Sequence, residues 1–190
     1  SAKMFMSGSS HGIRIGTTCA NIKKPDRRDL VVIEMAEGTS TAAVFTQNLF
    51  CAAPVHVAKE HIQTTSPRYL LINTGNANAG TGEQGLLDSQ RCCALLAEQV
   101  GCDPQQVLPF STGVIGELLQ VNKFQQAIPD AVAKLSEQAW QDAANGIMTT
   151  DTVPKGLSRQ LSLAGKTITV TGIAKGSRMI RPDMATMLAY

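Results

Sequence analysis

The last eighteen residues of the chain read Ile173-Ala-Lys-Gly-Ser-Arg-Met-Ile-Arg-Pro-Asp-Met-Ala-Thr-Met-Leu-Ala-Tyr190. A lysine and a glycine open a short basic turn, and Ala185-Thr186 follows among apolar residues. A threonine hydroxyl is a weak nucleophile at neutral pH and needs a base beside it. If the bond between Ala185 and Thr186 were cut, the freed α-amine of Thr186 could be that base. The residues alone leave two interpretations open: a self-cleaving nucleophile, or an apolar helix that starts after Pro182.

The segments before this stretch predict alternating strands and helices. Residues 157–163 and 167–173 alternate apolar and polar side chains about Ala164-Gly165, which predicts a β-hairpin whose second strand runs into Lys175. Further strands are expected at 13–15, 30–35, 39–45 and 69–73, and helices at 54–62, 86–100, 121–136 and 137–145. The expected fold is therefore α+β, a layered α/β sandwich with a mainly antiparallel sheet. We expect a single domain over residues 1–190, with the first ten residues forming a loose terminus.

Composition excludes several classes of protein. With 43% apolar and 17% charged residues, the 190-residue chain can bury a core and is not disordered. A net charge of +2 is too small for a nucleic-acid footprint, and the basic cluster Lys23–Arg28 is interpreted as a solvated loop. No stretch is long and apolar enough to predict a membrane span, and no signal pattern is recognised, so a cytoplasmic or organelle-matrix location is expected, with cytoplasmic preferred. The five cysteines and three histidines lack the spacing of a zinc site, and reduced thiols are expected.

Three polar segments are candidates for a functional site. The small, amide-rich residues 73–82 predict either a loop that supports an active site or a purely structural turn. Residues 111–116, Ser-Thr-Gly-Val-Ile-Gly, resemble the tight end of a strand whose amides could face an anion. Residues 147–152 place three hydroxyls around Asp151, as in a capping cluster or a substrate-binding strand end.

Together with residues 174–176 and 182–188, these segments resemble the ornithine acetyltransferase family, the bifunctional glutamate N-acetyltransferases of arginine biosynthesis. The resemblance covers nearly the whole chain and implies the α-chain half of a self-processing, N-terminal-nucleophile-like enzyme. It implies cleavage between Ala185 and Thr186, and transfer of acetyl from N-acetylornithine to glutamate through an acetyl-Thr186 ester in a ping-pong cycle. By the same resemblance, Thr112 and Gly113 form the oxyanion hole, and Thr149, Lys175 and Thr186 bind substrate.

The resemblance also implies a β chain from the same precursor as partner, further binding residues on it, and a dimer of α/β pairs or a larger assembly. It implies no metal or organic cofactor, and it leaves acetyl-CoA open as a co-substrate. Arg178 departs from the family pattern, which commonly has glycine there. As written, the chain continues past Ala185 to Tyr190, so without the free amine of Thr186 and the β chain no turnover is expected. A related self-processing aminopeptidase or amidase, and a non-catalytic small-molecule-binding protein, are the alternatives.

Overall fold

The computed structural model describes residues 12–176 and 187–190. A four-stranded sheet contains β1 (Ile13–Thr18), β2 (Leu30–Met35), β3 (Tyr69–Asn76) and β4 (Val107–Val114), in that order across the sheet. The β1–β2 and β2–β3 pairings are antiparallel, and the β3–β4 pairing is parallel. In β2, five of the six residues are buried, so both faces of this strand lie inside the protein.

Helices cover one face of this sheet. They are α1 (Ala53–Thr64), α2 (Gly82–Val100) and α3 (Val121–Ala133), and a 3-10 turn (Pro104–Gln106) precedes β4. The predicted stop of α2 is confirmed: Gly101 has a φ of 75°, and its N–H donates to the carbonyl of Ala97 at 2.8 Å. The helices and this face of the sheet share an aliphatic core around Leu96 and Phe124.

A second layer covers the opposite face. It consists of the short helix α4 (Trp140–Gly146) and a three-stranded antiparallel sheet of β5 (Lys155–Leu163), β6 (Lys166–Lys175) and β7 (Leu188–Ala189). The predicted hairpin is confirmed, and both turn residues have positive φ, 50° at Ala164 and 77° at Gly165. The second core packs Ile72 of the first sheet against residues of this layer, among them Ile147 and Ile173. The layered α+β architecture with mainly antiparallel pairing is confirmed.

One predicted strand is wrong. Residues 39–45 form no strand, although they are rich in β-branched side chains. Both edges of β2 are already occupied by β1 and β3. The amide and hydroxyl of Thr39 both donate to the carbonyl of Ala36 and close a turn, and Val44 is 81% exposed. Strand propensity without a partner or a buried face did not suffice here.

Within residues 12–176 and 187–190, no helix is long and apolar enough to cross a membrane. The same ranges contain no group of three or more histidine, cysteine or acidic side chains placed to hold a metal ion. His61 is buried and bonds the carbonyl of Val107, whereas His56 is exposed and contacts Cys51. The five cysteines are free thiols. The predicted loose terminus at residues 1–10 lies outside the described residues.

Candidate active site

The strand end that carries Thr112 and Gly113 requires glycine for a steric reason. In the parallel register Thr112 pairs with Thr74, and Gly113 pairs with Gly75. A Cβ atom added at Gly113 would lie 2.3 Å from the carbonyl carbon of Gly75 and 2.5 Å from the amide nitrogen of Asn76. Gly113 also has a φ of 139°, which L side chains rarely adopt. The close approach of two backbones therefore forms the tight strand end that the sequence indicated.

Thr112 and Lys175 lie on the two strand faces that pack against each other. Along β4, Thr112 shares a face with Phe110, and along β6, Lys175 shares a face with Ile173. The Phe110 ring meets the Tyr190 ring edge-on, with centroids 5.2 Å apart, and Tyr190 exchanges two backbone hydrogen bonds of 2.9 Å with Ile173. Thr112 therefore lies about 7 Å along β4 from Phe110, and Lys175 about 7 Å along β6 from Ile173, the two residues that Tyr190 contacts.

Lys175 and Thr149 are in direct contact. The Nζ atom of Lys175 donates to Oγ1 of Thr149 at 3.1 Å, and only 4% of Lys175 is exposed. Burial lowers the pKa of Lys175 because an ammonium ion loses hydration, while the nearby Asp151 carboxylate acts in the opposite direction. A buried ammonium ion beside a hydroxyl can bind a substrate carboxylate or carbonyl oxygen.

Asp151 connects the two segments that carry this pair. Its side chain is 0% exposed and accepts the amide of Gly176 at 3.0 Å, the amide of Thr149 at 3.4 Å and the ammonium of Lys155. Burial raises the pKa of the Asp151 carboxyl, but the bonds from Lys155, Gly176 and Thr149 outweigh it and hold the pKa below its usual value. Asp151 therefore binds backbone amides as a cap does, while Thr149 faces Lys175. The capping interpretation of residues 147–152 describes the bonds of Asp151, and the substrate-binding interpretation stays a prediction.

Arg27 was missed at the sequence level. The cluster Lys23–Arg28 was expected to be a solvated loop, but Arg27 is half-buried and its guanidinium donates to the carbonyls of Met148 and Thr149, the latter at 3.3 Å. The interpretation was wrong at this residue because its partners lie more than 120 positions away in the chain. A guanidinium has five N–H donors and can satisfy adjacent carbonyls together.

The asparagines of residues 73–82 are used as internal supports. Asn73 accepts the Ser111 hydroxyl at 2.6 Å, which ties β3 to β4 on the helix-covered face. Asn76 donates to the carbonyls of Glu117 and Leu118 at 3.1 and 3.0 Å, and the fully buried Asn78 donates to Gly85 at 2.8 Å. These bonds fix the loops after both strands, as either a loop that supports an active site or a purely structural turn requires.

Thr74 is the other buried hydroxyl beside Thr112. Only 1% of Thr74 is exposed, and its Oγ1 finds no hydrogen-bond partner among the residues described here. A buried hydroxyl without a partner is unfavourable by about 1–3 kcal/mol. No sequence signal distinguished Thr74 from the other threonines.

Ala185, Thr186 and Arg178 lie outside the described residues. The predicted nucleophile, cleavage position and departure from the family pattern therefore remain sequence predictions. A surface cleft of about 310 Å³ lies elsewhere, lined by residues that include none of the predicted site: Thr17, Thr18, Cys19, Arg28, Lys134, Ala139 and Asp142. Its Arg28 and Asp142 side chains form an ion pair with each other.

Comparison with solved structures defines the class of protein. The chain superposes on the crystal structure of arginine biosynthesis bifunctional protein ArgJ from Bacillus halodurans with a TM-score of 0.85 and 35% identity, over 95% of this chain and 93% of that chain. Ornithine acetyltransferase from Mycobacterium tuberculosis, solved with ornithine, gives a TM-score of 0.80 and 27% identity over 96% of both chains. The fold is that of these proteins.

Sequence comparison identifies the family. The ArgJ family model matches residues 14–190. The bifunctional ArgJ proteins of Pseudomonas fluorescens (strain Pf0-1) and Methylococcus capsulatus (strain ATCC 33009 / NCIMB 11132 / Bath) are 59% and 56% identical over 179 residues. This chain belongs to the ArgJ family. These matches cover 94% of this chain but only 44% of each relative, so the chain spans slightly less than half of the relatives' length.

Proposed function

We propose that this chain is the single-domain α-chain half of an acetyltransferase of arginine biosynthesis, made as a precursor that cuts itself between Ala185 and Thr186. The observation that carries the proposal is the buried Lys175 ammonium, bonded to Thr149, at the end of the strand that leads to Thr186. Family membership and the names of the relatives support it.

The self-cleavage step follows from the residue types. The Thr186 hydroxyl oxygen attacks the carbonyl carbon of Ala185, the peptide C–N bond breaks, and the acyl group moves from nitrogen to oxygen. The hydroxyl proton moves to the departing nitrogen, so this shift frees the α-amine of Thr186; water then hydrolyses the ester, which frees the Thr186 hydroxyl and the carboxylate of Ala185. The new amine can now accept the proton of its own hydroxyl.

Acetyl transfer repeats this chemistry on a substrate. The Thr186 oxygen attacks the acetyl carbon of N-acetylornithine, the amide C–N bond breaks, and the proton passes through the α-amine to the departing ornithine nitrogen. Glutamate's amine then attacks the acetyl ester and releases the hydroxyl. Each half-reaction passes through an oxyanion, and we assign its stabilisation by hydrogen bonds to Thr112 and Gly113. Losing one hydrogen-bond donor of an oxyanion hole typically costs about 2.7–4 kcal/mol of transition-state stabilisation. Thr149 and Lys175 bind the substrate beside Thr186.

The acetyl group stays on the protein between the half-reactions, so the cycle requires no metal or organic cofactor. A β chain carrying further binding residues, a dimer of α/β pairs or a larger assembly, and a cytoplasmic location complete the proposal. Acetyl-CoA is a candidate second acetyl donor, because it would acetylate the same Thr186 hydroxyl.

Mass spectrometry of the full-length protein tests the proposal. Incubation with N-acetylornithine alone should add one acetyl group to a chain that begins with Thr186, and glutamate should remove it as N-acetylglutamate. Thr186→Ala should show neither cleavage nor acetylation. Acetyl release to water without N-acetylglutamate would assign the amidase alternative, and an intact chain without acetylation would assign the non-catalytic alternative. A parallel reaction with acetyl-CoA identifies the second donor.

A further inference from the structure

The β5–β6 hairpin has one exposed apolar face. Direct cross-strand pairs place its members on the same side: Leu161 opposite Ile168, Leu157 opposite Gly172, Leu163 opposite Lys166, and Val170 opposite Arg159. The exposed fractions are 54% for Leu157, 63% for Leu163 and 56% for Val170. A contiguous apolar surface on two paired strands is typical of an interaction site.

The other face of the same hairpin is polar. Ser158 pairs with Thr171 through a hydroxyl–hydroxyl contact of 2.9 Å, and Gln160 donates to Thr169 at 3.5 Å. At the base of this polar face Ile173 enters the second core. The apolar face therefore points away from that core. Met187, which precedes β7 and is 52% exposed, extends it to the third strand by strand alternation.

We propose that this face, made of Leu157, Leu161, Leu163, Ile168 and Val170 and continued by Met187, is covered by the C-terminal half of the full-length protein, to which Met187 itself belongs after a cut before Thr186. The inference rests on the proposed division into two chains. The curated relatives have more than half of their length beyond what this chain matches. This chain matches their N-terminal part, and β7 of the same sheet ends at Ala189. The continuing chain thus emerges beside the apolar face.

Basic residues specify the complementary surface. Arg159 stands on the apolar face opposite Val170, as Lys166 does opposite Leu163, and no ion pair to either is found within the described part of the chain. We expect the covering segment to be apolar with a carboxylate that meets Arg159. Such a pair at an otherwise apolar surface favours one orientation of the partner.

Hydroxyl-radical footprinting of the unmodified full-length protein is the first test, because it needs no variant and works whether or not the chain is cut. Aliphatic side chains on the face should be labelled at least about fivefold more slowly in the native protein than in the denatured protein, since buried side chains are shielded. Exposed Val44 serves as the reference and should remain reactive. Rapid labelling of Leu161 and Ile168 in the native protein would overturn the proposal.

A matched pair of double variants is the second test. Leu161→Asp with Ile168→Asp places two charges on the apolar face. Gln160→Asp with Thr169→Asp changes the neighbouring cross-strand pair and places two charges on the polar face. The first variant should reduce the amount of C-terminal half that copurifies with a tagged N-terminal half by about tenfold or more, and the second by less than twofold. If the first variant instead keeps the C-terminal half and loses only self-association in native mass spectrometry, a second copy covers the face and the proposal is wrong. Because neither readout measures acetyl transfer, failure here is distinguishable from failure of the proposed function.

Discussion

Replacing Asp151 by asparagine tests the connection between the Thr149 segment and the Lys175-Gly176 turn. The side chain is 0% exposed, and its carboxylate accepts the amides of Thr149 and Gly176 together with Lys155. Asparagine keeps one acceptor oxygen but turns an NH₂ group toward the remaining donors. A hydrogen bond to a charged group contributes about 1.5–3 kcal/mol, so we expect D151N to lose about 2–3 kcal/mol of unfolding free energy at pH 7.

The dependence on pH separates this loss from a general packing defect. Because bonds to its charged form lower the pKa of Asp151, its stabilisation is present above about pH 3.9 and is lost as pH falls through the folded-state pKa. The deficit of D151N should therefore shrink between pH 7 and pH 3, measured by urea unfolding of the full-length protein. Asp142→Asn is the control, since its side chain is 44% exposed and its ion pair with Arg28 should contribute at most about 1 kcal/mol. Equal effects of the two substitutions, or a deficit independent of pH, would refute the assignment.

Three further predictions concern single positions. Gly113→Ala should destabilise the protein by at least about 1 kcal/mol more than Gly116→Ala in thermal unfolding. Both residues have positive φ, but of the two only Gly113 would bring an added Cβ atom against backbone atoms. Equal losses of stability would contradict this. Lys175→Met should abolish acetylation, yet the variant should be at least as stable as wild type at pH 7. Burial lowers the pKa of Lys175, so the cost of burying its charge applies below the folded-state pKa and is lost as pH rises through it. The stability advantage of the variant over wild type should therefore shrink toward about pH 10, measured by denaturation at several pH values. Burial raises the pKa of Cys92 to about 12, so peptide mapping after iodoacetamide at pH 8 should show alkylation of exposed Cys19 and none of Cys92 until the protein unfolds.

The sequence by itself determined the elements whose signals are local. The hairpin at Ala164-Gly165 and the end of α2 at Gly101 were predicted because periodicity and turn residues act over a few positions. The tight strand end at Gly113 was indicated by its small neighbours, whereas its pairing with Gly75 was not. Family resemblance assigned Thr149 and Lys175 to one site, and the structure places them in contact.

Only the tertiary structure decided what depends on distant partners. Residues 39–45 have strand propensity, but β1 and β3 already occupy both edges of β2. Arg27 reads as one charge in a solvated loop until the fold places it against the carbonyl of Thr149. Asp151 became a buried connector because β6 returns Gly176 to it across 25 positions. Burial and hydrogen-bond partners are set by how layers pack, and no local pattern of residue types encodes them.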